Sequence, residues 1–224
     1  MFNLKPLPRQ LDPRLVEKLI RAEPATIGHF RNTGFMDPAI RAMQPELRIA
    51  GPAVTVRAPG VDGTIVGYAL GQVRRGDVLV IDRCGDHRHA AFGGLVAYAC
   101  KVAGLAGVII DGVATDIGEV RRYQVPLWCR GLSAVTTKRI GLAGEFCVPV
   151  SCGGVAVNPG DVVIADECGI VVLEPAEAEA AADRAIGMQE AEAASRKRLD
   201  AGEKLPDISG ATKVLQEALA KQKS

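Results

Sequence analysis

Long apolar runs are missing from this chain of 224 residues. A membrane-spanning helix needs about 20 such residues, so no membrane partner is expected. Met1–Leu11 lacks the apolar core of a secretory signal, and the cytoplasm is the expected compartment. An excess of one charge is also missing. The 27 Lys and Arg face 26 Asp and Glu, for a formal net charge of +1. Nucleic-acid binding rests on concentrated positive charge, so no nucleic-acid partner is expected. The one dense charged stretch, Glu190–Asp200, mixes both signs and reads as a solvated helix face. Cysteines stand at 84, 100, 129, 147, 152 and 168 with no CxxC spacing, which argues against structural zinc. Several lie in apolar stretches, where Cys acts as a small buried hydrophobe. No Walker loop, no GxGxxG after a first strand and no GxSxG elbow occurs, which removes the usual nucleotide and serine-hydrolase readings. Aromatic residues make up only 4%, so the core must be built from Val, Ile, Leu and Ala.

What is present is a strand–helix alternation. Residues 13–22 carry Leu15, Leu19 and Ile20 at helical spacing. Residues 49–56 are β-rich, with Pro52 suggesting an edge or strand-end position. A helix over 64–73, a strand over 78–82, a helix over 93–103, a strand over 108–111 and a helix over 116–123 follow. Such alternation indicates an α/β sheet. Residues 144–157 and 161–173 are Val-rich with Gly turns and read as consecutive strands. A long Ala/Glu/Arg helix is expected from Pro175 to Leu199, then a linker over 205–210 and a short helix over 211–221. The whole chain, 1–224, is expected to form a single domain, with its core at about 20–175 and C-terminal helices at about 175–221.

Three segments carry polar chemistry. Asp82-Arg83-Cys84-Gly85-Asp86-His87-Arg88-His89 follows a strand, where open α/β sheets place ligands; a solvated loop is the plain alternative. His87 and His89 are spaced to face alike on a strand, as metal ligands or as surface residues. Gly93-Gly94-Leu95-Val96 opens a helix, and bare N–H groups there favour an anion. Close packing alone would also explain the glycines. In Asp111–Glu119, Asp116 and Glu119 stand three apart at a helix start. They suit Mg²⁺ or Mn²⁺, or they are an N-cap and its capping-box partner. Lys101 reads as a snorkelling side chain rather than a Schiff-base lysine.

Taken in order, Gly51-Pro52-Ala53-Val54-Thr55-Val56, Gly76-Asp77-Val78-Leu79-Val80, Gly93-Gly94-Leu95-Val96-Ala97, Gly107–Gly112 with Thr115-Asp116, and Val157-Asn158-Pro159-Gly160-Asp161 resemble the RraA-like family. The resemblance runs over roughly residues 20–175. It implies an α/β/β sandwich of the swivelling type, here with a C-terminal helical arm, and a homotrimer or hexamer with sites between subunits. That family contains 4-hydroxy-4-methyl-2-oxoglutarate aldolases, oxaloacetate decarboxylases and a protein regulator of RNase E.

The implied activity is a lyase: metal-dependent cleavage of a C–C bond in a small 2-oxo acid, with release of pyruvate. The implied alternative is a non-catalytic regulator that binds a protein such as an RNase. By position, Asp116 is the metal residue, which favours the ligand reading over the cap. Gly93, Gly94, Leu95 and Val96 form the loop that binds a carboxylate substrate. Asp86 and Glu119 are the candidate bases. Two positions depart from the pattern. Thr115 stands where the aldolases have Arg, and Gly94 where the loop usually has an acid. Thr115 offers a hydroxyl but no charged fork for a carboxylate. Arg88 is the nearest cation by sequence and is expected to bind the substrate in its place.

Overall fold

In the central strands successive side chains point to opposite faces, and here both faces are apolar. The computed structural model, which describes residues 1–222, shows what covers each. The chain runs β1 (Phe2–Leu4), α1 (Pro13–Arg21), α2 (Pro24–Gly28), β2 (Arg41–Ala42), β3 (Ile49–Arg57), α3 (Thr64–Leu70), β4 (Val78–Asp82), α4 (Gly94–Ala103), β5 (Gly107–Ala114) and α5 (Ile117–Tyr123). It continues through β6 (Leu127–Leu132), β7 (Gly144–Phe146), β8 (Val150–Cys152), β9 (Val155–Val157), β10 (Val162–Ala165), β11 (Ile170–Leu173), α6 (Pro175–Asp200), α7 (Leu205–Ile208) and α8 (Ala211–Gln222).

The main sheet has the order β1-β7-β3-β4-β5-β6-β2, with β10 and β11 branching from β3. Strands β3 to β6 are parallel neighbours. Leu79, Ile81, Val108, Ile110, Leu127 and Cys129 face the core that includes residues of α3, α4 and α5. Val78, Val80, Ile109 and Trp128 face the opposite core, under β8–β9 and β10–β11. A helix layer, a sheet and a second β layer make the expected α/β/β sandwich. Burial on both faces explains why β4 reads as one continuous apolar run. The Trp128 indole N–H donates to the Asp166 carbonyl at 2.9 Å, so this large ring buries no unsatisfied donor.

Pro52 is not at a sheet edge. Residues 49–52 pair with β10, and residues 53–57 pair with β4. Pro52 therefore closes one ladder just before the next begins, and its missing N–H interrupts neither. Helix α6 starts at Pro175 under a capping box of Glu174 and Glu177. Its buried Ala178, Ala182 and Ala185 lie on one face, against α1, α2 and the β10–β11 pair. The expected linker over 205–210 instead holds the one-turn α7. The arm beyond α6 exposes Leu205, Val214, Leu215 and Leu219. Among the described residues no helix is long and apolar enough to cross a membrane.

Candidate functional site

The site is built where α4 and α5 begin. Asp116 occupies the N-cap position of α5, but in a left-handed conformation (φ 52°, ψ 38°) and with no side-chain capping bond. Asp tolerates this region better than most residues, though it remains uncommon. Its carboxylate turns away from α5 and accepts the Gly94 N–H of α4 at 2.9 Å. The capping reading of Asp116 therefore fails on geometry.

Glu119 turns the same way. A Cβ on Gly94 would lie 1.6 Å from Glu119 Oε2, and one on Gly93 would lie 2.7 Å from Asp116 Oδ2. Two exposed carboxylates thus crowd the backbone at the start of α4, and the two glycines leave room for them. The Gly93 N-cap adds no side-chain bond of its own, so the first turn keeps donors for a ligand.

Gly93–Val96, Thr115 and Asp116 all line one cavity of about 860 Å³. The structure brings these sequence candidates together. Asp116 also borders a second hollow with Gly118, Glu119 and Arg122. Thr136, Thr137, Lys138 and Arg139 also line the main cavity. Lys138 and Arg139 are exposed, and neither has an ion-pair partner among the described residues. Sequence reasoning passed over them, because they lie in an irregular segment with no motif of its own. Only the fold carries that segment back over the cavity.

Asp86 and Arg88 stand elsewhere. Neither lines the cavity. The Asp86 carboxylate accepts the backbone N–H of Arg88 at 2.8 Å and of His89 at 3.1 Å, and meets the His89 ring at 2.8 Å. Partial burial pushes the Asp86 carboxyl up, but these hydrogen bonds outweigh it and hold it at about 2. Arg88 is exposed. His87 and His89 do not face alike: His89 joins Asp86, while His87 lies 4.0 Å from Asp111.

Beneath this loop, Arg83 is fully buried. Its guanidinium donates to the carbonyls of Ala58 and Gly60, and at 3.4 Å to Asp86 and to His89 O. Asp111 serves the other side of the sheet. It accepts Arg130 Nε at 2.5 Å and Gly153 N–H at 2.7 Å, pinning the β8–β9 turn.

A family model described as RraA-like (aldolase/RraA) matches residues 18–172. A Halalkalibacterium halodurans protein provisionally named a 4-hydroxy-4-methyl-2-oxoglutarate aldolase is 36% identical over 134 residues. That match takes in 60% of this chain and 63% of the relative, so the chain spans less than two thirds of its length. A Burkholderia multivorans protein with the same provisional name is 34% identical over 61% of this chain and 82% of its own. The crystal structure of Streptomyces coelicolor RraAS2, described as an unusual member of the RNase ES inhibitor RraA family, superposes with a TM-score of 0.76. It is 30% identical, over 84% of this chain and 98% of that one.

Proposed function

Because the chain belongs to the RraA-like family, we propose that it is a divalent-metal-dependent lyase that cleaves a C–C bond of a small 2-oxo acid and releases pyruvate. The observation that supports this most is Asp116, an exposed carboxylate released from capping, at a helix start that keeps further N–H groups and in one cavity with two cations that have no ion-pair partner among the described residues.

Asp116 would hold Mg²⁺ or Mn²⁺, leaving Glu119 free to act as a base. Among the described residues no group of three or more His, Cys, Asp or Glu could enclose a metal. Mg²⁺ asks for less, because it keeps several waters and is commonly bound by one or two carboxylates plus substrate oxygens. The donor set at Gly94 fits that requirement. When bound, the cation acts as a Lewis acid toward the 2-oxo group and its carboxylate.

The chain's own groups supply the rest of the reading. First-turn N–H groups of α4 take a substrate carboxylate. Lys138 and Arg139 provide the cationic charge that Thr115 lacks, and Thr115 contributes a hydroxyl. Glu119 takes the proton of the 4-hydroxyl as the C–C bond breaks. The carbon that bore the hydroxyl departs as a carbonyl, the bonding electrons pass toward the 2-oxo group, and the proton held by Glu119 returns to the adjacent carbon to yield pyruvate. Decarboxylation of oxaloacetate proceeds through the same electron flow. Asp86 is proposed as a brace of its loop rather than the base.

The test is pyruvate release from 4-hydroxy-4-methyl-2-oxoglutarate and from oxaloacetate, with Mg²⁺, with Mn²⁺ and after chelation. Arg88→Ala serves as the comparison for Lys138→Ala and Arg139→Ala. Absence of release from both substrates with either metal would sink the lyase reading. One observation favours a second reading, a regulator that binds protein: α4 exposes Leu95, Tyr98 and Val102 on one face. That reading gains if the chain shows no turnover and a purified RNase of the RNase E type binds it through that face.

A further inference from the structure

The cavity's cations sit on a segment with little structure of its own. Residues 133–143 join β6 to β7 without forming a helix or a ladder strand. The segment is nevertheless tied on both sides. On one side Ala90 N–H donates to Val135 O at 2.7 Å, and Thr137 N–H to Ala90 O at 3.0 Å. On the other, Gly63 N–H donates to Lys138 O and Lys138 N–H to Val61 O, each at 2.8 Å. The fit is close, since a Cβ on Gly63 would lie 2.5 Å from Thr137 Oγ1.

Asp62 lies between those last two ties and is only 2% exposed. Its Oδ1 accepts the Thr64 N–H at 2.9 Å, the Thr64 hydroxyl at 2.6 Å and the Ile140 N–H at 3.3 Å. Its Oδ2 accepts the Leu142 N–H at 2.5 Å and, more weakly, the Ala143 N–H at 3.4 Å. The Thr64 hydroxyl in turn accepts the Gly141 N–H at 3.1 Å. The N–H groups of residues 140 to 143 therefore converge on one carboxylate and its threonine neighbour. They follow immediately after Lys138 and Arg139.

We infer that Asp62 is a positioning residue: it holds residues 133–143 as a strap that presents Lys138 and Arg139 to an anionic ligand in the cavity. This rests on the anion-binding reading given above. The physical reason is the donor count. An ionised carboxylate offers about four lone-pair sites, more than any neutral side chain, and here shares them among five donors at one buried point. Without it, several backbone N–H groups lose their partners and that end of the strap relaxes. The Ala90 end stays tied, so the effect falls on the cations rather than on the sheet. Burial pushes the Asp62 carboxyl up, but the Thr64, Leu142 and Ile140 donors outweigh it and keep it ionised well below the usual carboxylate range.

The test is calorimetric binding of oxalate, a small dicarboxylate, to the full chain with Mg²⁺ present. Lys138→Ala with Arg139→Ala should weaken oxalate binding at least about tenfold, and Asp62→Asn by about the same factor. Mg²⁺ affinity without oxalate should stay unchanged in Asp62→Asn, because Asp116 is not on the strap. Added to the variant lacking both cations, Asp62→Asn should weaken oxalate by less than about twofold, the non-additivity of groups acting as one unit. A merely structural role would lower Mg²⁺ affinity too, and its effect would persist without the cations. Wild-type oxalate affinity in Asp62→Asn, with weak binding in the cation-less variant, overturns the inference and leaves the anion reading standing. Unchanged binding in the cation-less variant overturns both. If Asp62→Asn does not fold, Thr64→Val removes the hydroxyl that links the Gly141 N–H to Asp62 Oδ1 and leaves the Ile140, Leu142 and Ala143 ties in place. It should weaken oxalate about threefold with the same non-additivity; unchanged binding there also overturns the inference.

Discussion

A methyl group added at Gly112 tests the buried Arg83 and the loop above it. Gly112 lies in β5, directly beside the Arg83 side chain. The new Cβ would lie 2.5 Å from Arg83 Cγ, 3.0 Å from its Cβ and 3.2 Å from the Asp86 carbonyl. These are stem and backbone atoms, which cannot swing aside as a chain end can. Relief requires moving the stem, and the guanidinium moves with it. That guanidinium is fully buried and donates to Ala58 O and Gly60 O while facing Asp86. Overpacking costs about 1–3 kcal/mol, and weakening a charge-assisted hydrogen bond costs about 1.5–3 kcal/mol. Gly112→Ala should therefore destabilise the fold by about 2–4 kcal/mol. Arg83→Ala leaves buried carbonyls and Asp86 without their cation and should cost about 3–5 kcal/mol. Urea denaturation at neutral pH of both variants and the double variant gives the coupling. With the stem gone, the Gly112→Ala penalty should shrink by at least about 1 kcal/mol. Penalties that add to within about 0.5 kcal/mol would refute the contact as the cause.

Three further outcomes are expected. Asp116→Asn should lower Mg²⁺ affinity at least about tenfold in calorimetry, while stability changes by under about 1 kcal/mol, since no capping bond is lost; undiminished affinity would remove Asp116 as the ligand. Asp86, held at about 2 when folded, and Asp62, also held below the usual carboxylate range, take up protons later than in the unfolded chain, where Asp titrates near about 3.9. The unfolded state binds more protons in that window, so this stability is complete above about pH 4 and is lost as pH falls toward about 2 and below. Denaturation midpoints across that range should show the loss, with a shallower slope in Asp86→Asn; equal slopes would contradict it. The exposed apolar residues of α7 and α8 should support a trimer or hexamer in solution, and light scattering that finds a monomer at micromolar concentration would reject this.

Much of the fold was legible because it depends on local periodicity. The strand at 78–82 and the helices beginning near 64 and 94 fall where local composition and spacing placed them. The continuous apolar character of β4 belongs to a strand covered on both faces. Part of the candidate site was legible for the same reason: Gly93–Val96, Thr115 and Asp116 lie at the ends of recognisable elements and line one cavity. Asp86 and Arg88 were drawn to the site by their order along the chain. Order along a loop does not fix where its side chains point, and Asp86 is spent on its own loop's N–H groups.

The sequence by itself determined the alternation of helices and strands, because apolar spacing and turn residues are written into neighbouring positions, while the layering came only as what the family resemblance implies. It also determined which helix start lacks side chains at its entrance. Only the tertiary structure decided whether Asp116 caps its own helix or reaches α4, since both choices have the same spacing and differ in one backbone angle. Only the tertiary structure brought Lys138 and Arg139 into one cavity with Asp116, through ties of their segment to Val61, Gly63 and Ala90, about 45–77 residues earlier. Contacts between such distant segments leave no periodic trace in the chain, so they become readable only when the sheet has closed around them.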